Sequence, residues 1–400
     1  FTKGVFDQPE TLTNAVDTPA HQALVRQAAT ESIVLLKNSG RLLPLDTAKI
    51  RSMAVIGPNA AIARTGGGGS SRVTPKIEPV TPLDALRERA GDKIQVRYAL
   101  GCFMEGEQKD KDTPEARATL LSEAVSLAAK SDVAIIFAGY SAETEQEMTD
   151  RKLELPSGQE ELIQAVAGAN RRTIVVLNSG GPVLMNNWVT RVPALAEAWF
   201  PGQETGRPIA AVLFGDVDAS GRLPVTFPRE WKDSPAFGNY PGSDMTVEYA
   251  EGIYVGYRYF DKKNVVPLFP FGYGLSFTSF EYSDLRLLPE KASKGQAVDV
   301  TLTLRNTGTR EGTETVQLYV RDVQSAMDRP EKELKAFRRV VLKPGESRTV
   351  TLSLDASSLS YYDEETKQWV ADPGGFEVQV GSSSRDIKLR GTFELLAQSS

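Results

Sequence analysis

The sequence is poor in the residues that many active sites rely on. Its 400 residues include one cysteine, Cys102, and one histidine, His21. A single cysteine forms no intrachain disulfide, and one Cys with one His makes no zinc-ligand set. Ser-His-Asp or Cys-His catalysis would have to run through His21, which stands where a linker meets a helix and reads as a surface residue. Proton transfer therefore falls to carboxylates, lysine or tyrosine. No stretch is long and apolar enough to cross a bilayer as a helix. Positive charge is not in excess either. The net charge of −6 leaves no basic footprint for nucleic acid or an anionic membrane surface, and it suits a neutral ligand. No metal or cofactor is expected. Lack of disulfides does not argue against export, because a chain this long can be stable without them. A periplasmic or secreted location is favoured over a cytoplasmic one.

The chain is too long for one ordinary core, so two domains are expected. Residues 1–20 are polar and irregular, with Pro9 and Pro19, and read as a linker. From His21 to about Asn38, Leu24, Ala28, Val34 and Leu35 recur at helical spacing. Short apolar runs then alternate with amphipathic segments. Strands are expected at Met53–Gly57, Ile94–Tyr98, Val133–Gly139, Thr173–Asn178 and Ala194–Trp199. Helices are expected at Pro82–Ala90, Ala116–Lys130, Ser157–Ala169 and Gly206–Phe214. This alternation predicts an α/β domain over 21–228: a mostly parallel sheet covered by helices on both faces. Ligands in such folds sit beyond the C-terminal strand ends, which directs attention to the loops after Gly57, Gly139 and Asn178. Residues 229–278, rich in Pro, Gly and aromatics, read as an ordered connector. Period-two runs such as Val298–Arg305 and Arg348–Leu354, split by Asn306-Thr307-Gly308 and Pro344-Gly345, predict an all-β sandwich of immunoglobulin or fibronectin type III kind over 279–400.

Two of these loops carry side chains that can do chemistry. Tyr140–Pro156 crowds Glu143, Glu145, Glu147 and Asp150 behind a buried strand. Neighbouring carboxylates disfavour one another's ionisation, which suits a general acid; an acidic loop is otherwise simply a solvated surface. The second loop, Gly66–Val73 (GGGGSSRV), offers bare backbone with Ser70, Ser71 and Arg72 as donors. It has neither the Gly-Lys-Ser/Thr ending nor the GxGxxG spacing of a phosphate cradle. Asn178–Pro182 (NSGGP) reads as tight backbone packing.

Long blocks then show a family resemblance. Ala29–Leu45 (ATESIVLLKNSGRLLPL), Ala198–Arg229, Glu251–Tyr259 (EGIYVGYRY), Pro267–Thr278 (PLFPFGYGLSFT), Arg329–Phe337 (RPEKELKAF) and Leu342–Glu346 (LKPGE) resemble, in order, the C-terminal two-thirds of glycoside hydrolase family 3. The glycine-rich loop continues that pattern, which argues against an engineered linker. Most members carry an N-terminal barrel with an aspartate nucleophile, and Thr2–Pro9 resembles the stretch that follows it. The resemblance implies a retaining exo-β-glycosidase acting on terminal β-D-glucosyl residues of a β-glucoside or oligosaccharide. A β-xylosidase, another β-glycosidase specificity or a non-catalytic carbohydrate-binding module are the alternatives. The nucleophile would come from a barrel domain or chain that is the partner of this one, and a homo-oligomer is compatible with the sequence. In the family, Glu-Gly shortly precedes Asp-Arg. Glu147-Met148-Thr149-Asp150-Arg151 fits, with Met148 in place of the glycine, so the resemblance puts the acid/base at Glu147. Glu145 is the second choice and Glu143 the third. Asp150 and Arg151 would organise the loop as an Arg–carboxylate pair, and with Ser70, Ser71 and Arg72 would face the substrate.

Overall fold

The computed structural model describes Asp7, residues 17–325 and residues 327–397. The linker expected over 1–20 lies mostly outside them. The chain forms two compact units. One comprises residues up to Gly181 with Asn187–Val217, and the other Pro182–Asn186 with residues 218 onward.

The first unit is built on a six-stranded sheet. Its strands are β1 (Val34–Asn38), β2 (Ser52–Ile56), β3 (Gln95–Ala99), β4 (Val133–Gly139), β5 (Thr173–Asn178) and β6 (Ala194–Glu197), in the spatial order β1-β6-β5-β4-β2-β3. Strands β2 to β6 run parallel, and β1 pairs antiparallel with β6. Every residue of β4 and β5 is buried, as the continuous apolar runs required. Helices α1 (Pro19–Ser32), α2 (Pro82–Ala90) and α5 (Gly206–Phe214) pack as one group, and α3 (Pro114–Ala129) against α4 (Gln159–Ala169) as another. Right-handed crossovers give this arrangement: the chain steps one way from β2 to β3, then returns past β2 to β4 and onward, which sends successive helices to opposite faces. The order reverses between β2 and β4, and a crevice opens at the strand ends of such a switch point.

The first helix departs from expectation. Periodicity placed Val34 and Leu35 on it, but α1 ends at Ser32, Ile33 is extended, and Val34 begins an edge strand. Ile33, Val34, Leu35 and Leu36 are all buried. Four consecutive buried positions exceed what one helix face supplies, whereas a strand covered on both sides accommodates them.

The second unit is a β-sandwich. Its larger sheet joins β11 (Glu333–Leu342), β10 (Gly312–Asp322), β13 (Gly374–Ser383), β14 (Asp386–Leu395) and β8 (Lys291–Ala292). The smaller joins β12 (Ser347–Leu354), β9 (Val298–Asn306) and β7 (Phe280–Leu288). Val298, Val300, Leu302 and Leu304 of β9 share one core with Val316, Leu318, Val320, Val378 and Val380. Residues 218–228, read from the sequence as the end of the α/β domain, group here instead. Asp218 accepts from the Thr313 and Phe277 amides and the Ser276 hydroxyl, and Phe227 bridges to Phe269. The connector packs on β10: Tyr257 stacks on Phe271 at 4.9 Å and meets Tyr319 edge-on.

Candidate active site

The two chemistry-bearing loops leave the sheet on either side of the switch point and clasp each other. The β4 loop begins at Gly139, whose φ of +126° and close approach (an added Cβ would lie 2.0 Å from the Asn178 carbonyl) admit only glycine. Tyr140 follows, buried, its phenol donating within the Lys152–Glu154 backbone to draw the far end of the loop back to the near end. Arg151 lies over the Tyr140 ring at 4.6 Å.

The glycines of the β2 loop allow contact with this segment. The Gly68 amide donates to the Glu145 carbonyl at 2.9 Å. A Cβ at Gly67 would meet that same carbonyl at 2.8 Å, and one at Gly68 would meet the Ala142 carbonyl at 2.5 Å. Bare backbone here serves loop-to-loop packing. Ser71 turns its hydroxyl back to the Gly68 carbonyl, while Ser70, Ser71 and Arg72 are all exposed.

The glutamates now separate. Glu145 is committed inward. Its Oε2 accepts the Gly180 amide at 2.9 Å, its Oε1 lies 3.1 Å from Arg151 Nε, and its side chain is 17% exposed. Burial raises its carboxyl, against the opposing pull of Arg151 and the Gly180 amide. Glu147 points out. One oxygen accepts both the Ser70 hydroxyl, at 2.8 Å, and the Ser70 amide, at 3.0 Å. Those bonds hold its carboxyl below the ordinary range. Next to it Met148 is fully exposed with φ +67°, a conformation that glycine takes at less cost. Glu143 lies at the exposed near end of the loop, its amide bonded to the Ser141 hydroxyl. Asp150 is exposed beside Arg151, but the arginine's pairing with Glu145 was not foreseen.

Sequence reading also missed two supports. Arg64, nearly buried, bonds Asn59 Oδ1 through Nε at 2.7 Å and Glu107 through its terminal nitrogens, while Asn59 reaches the Tyr140 carbonyl at 3.4 Å. Glu197 ends β6 with no exposure, and burial pushes its carboxyl up to about 8. A polar residue closing an apolar strand was the available signal for Glu197; Arg64 and Glu107, 43 residues apart, gave none. Among the described residues no group of His, Cys, Asp and Glu side chains is placed to hold a metal ion.

A mostly parallel sheet with carboxylates and a glycine-rich loop at its switch point, followed by a β-sandwich, defines an α/β domain joined to an immunoglobulin-type one, and comparison with known proteins makes the family specific. Residues 33–277 match the glycosyl hydrolase family 3 C-terminal domain and residues 314–384 a fibronectin type III-like domain. The chain belongs to glycosyl hydrolase family 3. It is 43% identical over 376 residues to thermostable beta-glucosidase B of Acetivibrio thermocellus, covering 94% of this chain and 48% of that protein. It is 38% identical over 379 residues to an exo-alpha-(1->6)-L-arabinopyranosidase of Bifidobacterium breve, covering 93% and 48%. The crystal structure of a Bifidobacterium adolescentis family 3 beta-glucosidase superposes with a TM-score of 0.86 at 38% identity, over 95% of this chain and 54% of that one. The chain thus spans about half the length of the curated relatives it matches.

Proposed function

We propose that this chain is part of a retaining exo-β-glycosidase that removes terminal β-D-glucosyl residues, and that Glu147 is its general acid/base. The observation that carries the assignment is the different use of the two central glutamates. Both oxygens of Glu145 are occupied by Arg151 and Gly180, whereas Glu147 is presented outward by Ser70 alone. An acid/base must protonate the leaving oxygen and then activate water, so it needs a carboxyl free to approach substrate.

The nucleophile is an aspartate from a barrel domain outside this chain, held about 5–5.5 Å from Glu147 in the retaining geometry. Covering Glu147 with that partner would raise its carboxyl from its present low value toward the range a general acid requires. Asp150, Ser71 and Arg72 are exposed on the same two loops and are proposed to contact the sugar or the partner. Glucose is the proposed sugar because a relative named as a beta-glucosidase is 43% identical to the chain, whereas one of similar coverage named as an arabinopyranosidase is 38% identical.

The test is Glu147→Gln in the complete enzyme. Loss of a general acid/base should cost about 10²- to 10⁴-fold in kcat/KM for an alkyl glucoside, and less for an aryl glucoside whose leaving group needs no proton. An equal, small effect on both substrates would remove Glu147 from the role and favour a binding module. Hydrolysis of an aryl β-glucoside by the 400-residue chain alone would refute the division of labour.

A further inference from the structure

We propose that Glu197 is a positioning residue for this site: its buried carboxyl joins, through Ser179 and Trp199, the two backbone arms that hold the glutamate loop and the glycine-rich loop together. The proposal rests on the reading of Glu147 given above, and its test separates the two.

The connections run in two directions from one side chain. Glu197 Oε2 lies 3.0 Å from the Ser179 hydroxyl, which shares its one proton between this carboxyl and the Gly181 carbonyl at 2.8 Å, and Oε1 accepts the Trp199 amide at 2.8 Å. On the first arm, the residue after Ser179 donates its amide to Glu145, and the Glu145 carbonyl receives the Gly68 amide. A Cβ on Gly180 would lie 2.5 Å from Glu145 Oε1, so the carboxyl is seated directly on this turn with no slack. On the second arm, Trp199 takes the left-handed φ of +56°, and the Gly202 amide then donates to the Thr65 carbonyl at the entrance to the glycine-rich loop, at 3.1 Å. Both arms end on the segment that presents Ser70 to Glu147. Asn178 adds a cross-tie by donating to the Trp199 carbonyl at 2.9 Å.

This geometry couples the protonation of Glu197 to the loops. The titratable groups acting on it are Glu145 and Tyr140, with Arg151 lying against both of those rather than against Glu197. Its strand partners, Val34 on β1 and Leu177 on β5, are apolar and supply no cation. While protonated, the carboxyl sits neutral on the turn that seats Glu145. Once ionised, it adds a like charge across the Ser179–Gly180 turn, with no counter-ion on its own strand neighbours. The bonds from Ser179 and Trp199 tighten on the charged carboxyl while Glu145 is repelled, so the turn that seats Glu145 shifts and with it the register of Glu147 on Ser70.

The experiment follows the amides of Gly180 and Ser70 by ¹⁵N NMR in the 400-residue chain from roughly pH 6 to pH 10, bracketing the Glu197 value of about 8. Both signals should titrate together in the native chain. In Glu197→Gln they should hold their low-pH positions throughout. Should that variant not fold, Ser179→Ala, which keeps the carboxyl but removes the hydroxyl link, should shrink the Gly180 titration at least about twofold. A Gly180 titration that persists at full size in Glu197→Gln, or in Ser179→Ala, overturns the proposal. In the complete enzyme, Glu197→Gln should keep KM and kcat at pH 6 within about twofold and extend kcat to higher pH, where a merely structural role would lower kcat at every pH. An unchanged alkaline limb also overturns it. A complete enzyme that hydrolyses no glycoside would defeat the glycosidase reading and leave the amide coupling standing.

Discussion

Ser70 offers both its amide, at 3.0 Å, and its hydroxyl, at 2.8 Å, to a single oxygen of Glu147. The two residues come from loops 77 positions apart, and the contact fixes an outward-facing carboxyl of the acidic segment. Removing the hydroxyl in Ser70→Ala takes away the larger of the two bonds that hold the carboxyl low. Glu147 should then titrate at higher pH, as read by carboxyl ¹³C NMR. A general acid works while protonated, so the alkaline limb of kcat/KM in the complete enzyme should move upward with it. A downward shift would contradict the assignment.

Gly68 tests the clasp between the loops. In Gly68→Ala the new methyl would stand 2.5 Å from the Ala142 carbonyl and 2.6 Å from Gln146 Cβ, and the first of these is backbone that cannot swing aside. A destabilisation of about 1–3 kcal/mol is expected, with faster hydrogen exchange at the Gly68 amide. Unaltered exchange at that amide would mean the loops separate without cost.

Glu145 and Glu147 should respond unequally to substitution. Glu145→Ala leaves Arg151 over Tyr140 without this carboxylate and leaves the Gly180 amide without its acceptor, which should cost about 1–3 kcal/mol in a urea unfolding series. Glu147→Gln, at an exposed position, should stay within about 0.5 kcal/mol of the parent. Comparable losses at both positions would erase the distinction between brace and acid.

Glu197 predicts the pH dependence of stability. Burial pushes its carboxyl from an ordinary 4.5 up to about 8 in the fold. Between those values the folded chain holds a proton that the unfolded chain has released. Stability from this group is therefore complete below about pH 4.5 and declines as pH rises through about 8, by up to about 1.4 kcal/mol per pH unit. Urea midpoints taken across that window should fall more steeply for the native chain than for Glu197→Gln. Parallel slopes would show that the group ionises freely in the fold.

In the β-sandwich unit, Arg222 and Glu314 form an ion pair at 2.8 Å with both side chains 8% exposed. Arg222→Ala strands a buried carboxylate and should cost about 3–5 kcal/mol, whereas the double replacement by Met at both positions should recover most of that loss. A double variant as unstable as the single one would mean that the pair does more than neutralise itself.

Much of the architecture was legible along the chain because burial on both faces of β4 and β5 demands unbroken apolar runs, and burial on one face of β9 and β12 demands alternation. Where a segment satisfied two periodicities the reading failed. Residues 33–36 fit a helix by spacing and became an edge strand by burial. Residues 218–228 looked continuous with the preceding domain, yet Asp218 bonds to amides 59 and 95 positions later.

The same division holds at the site. Local sequence placed the acidic loop and the glycine-rich loop at strand ends, since strand termini and turn residues announce themselves over a few positions. It left Glu143, Glu145 and Glu147 nearly equivalent, because each has similar acidic and polar neighbours along the chain. Their surroundings parted only in three dimensions, where Gly180 and Arg151 close over Glu145 and Ser70 meets Glu147. The character of a carboxyl is set by the water it loses and the donors it gains, and those arrive from segments tens of residues away.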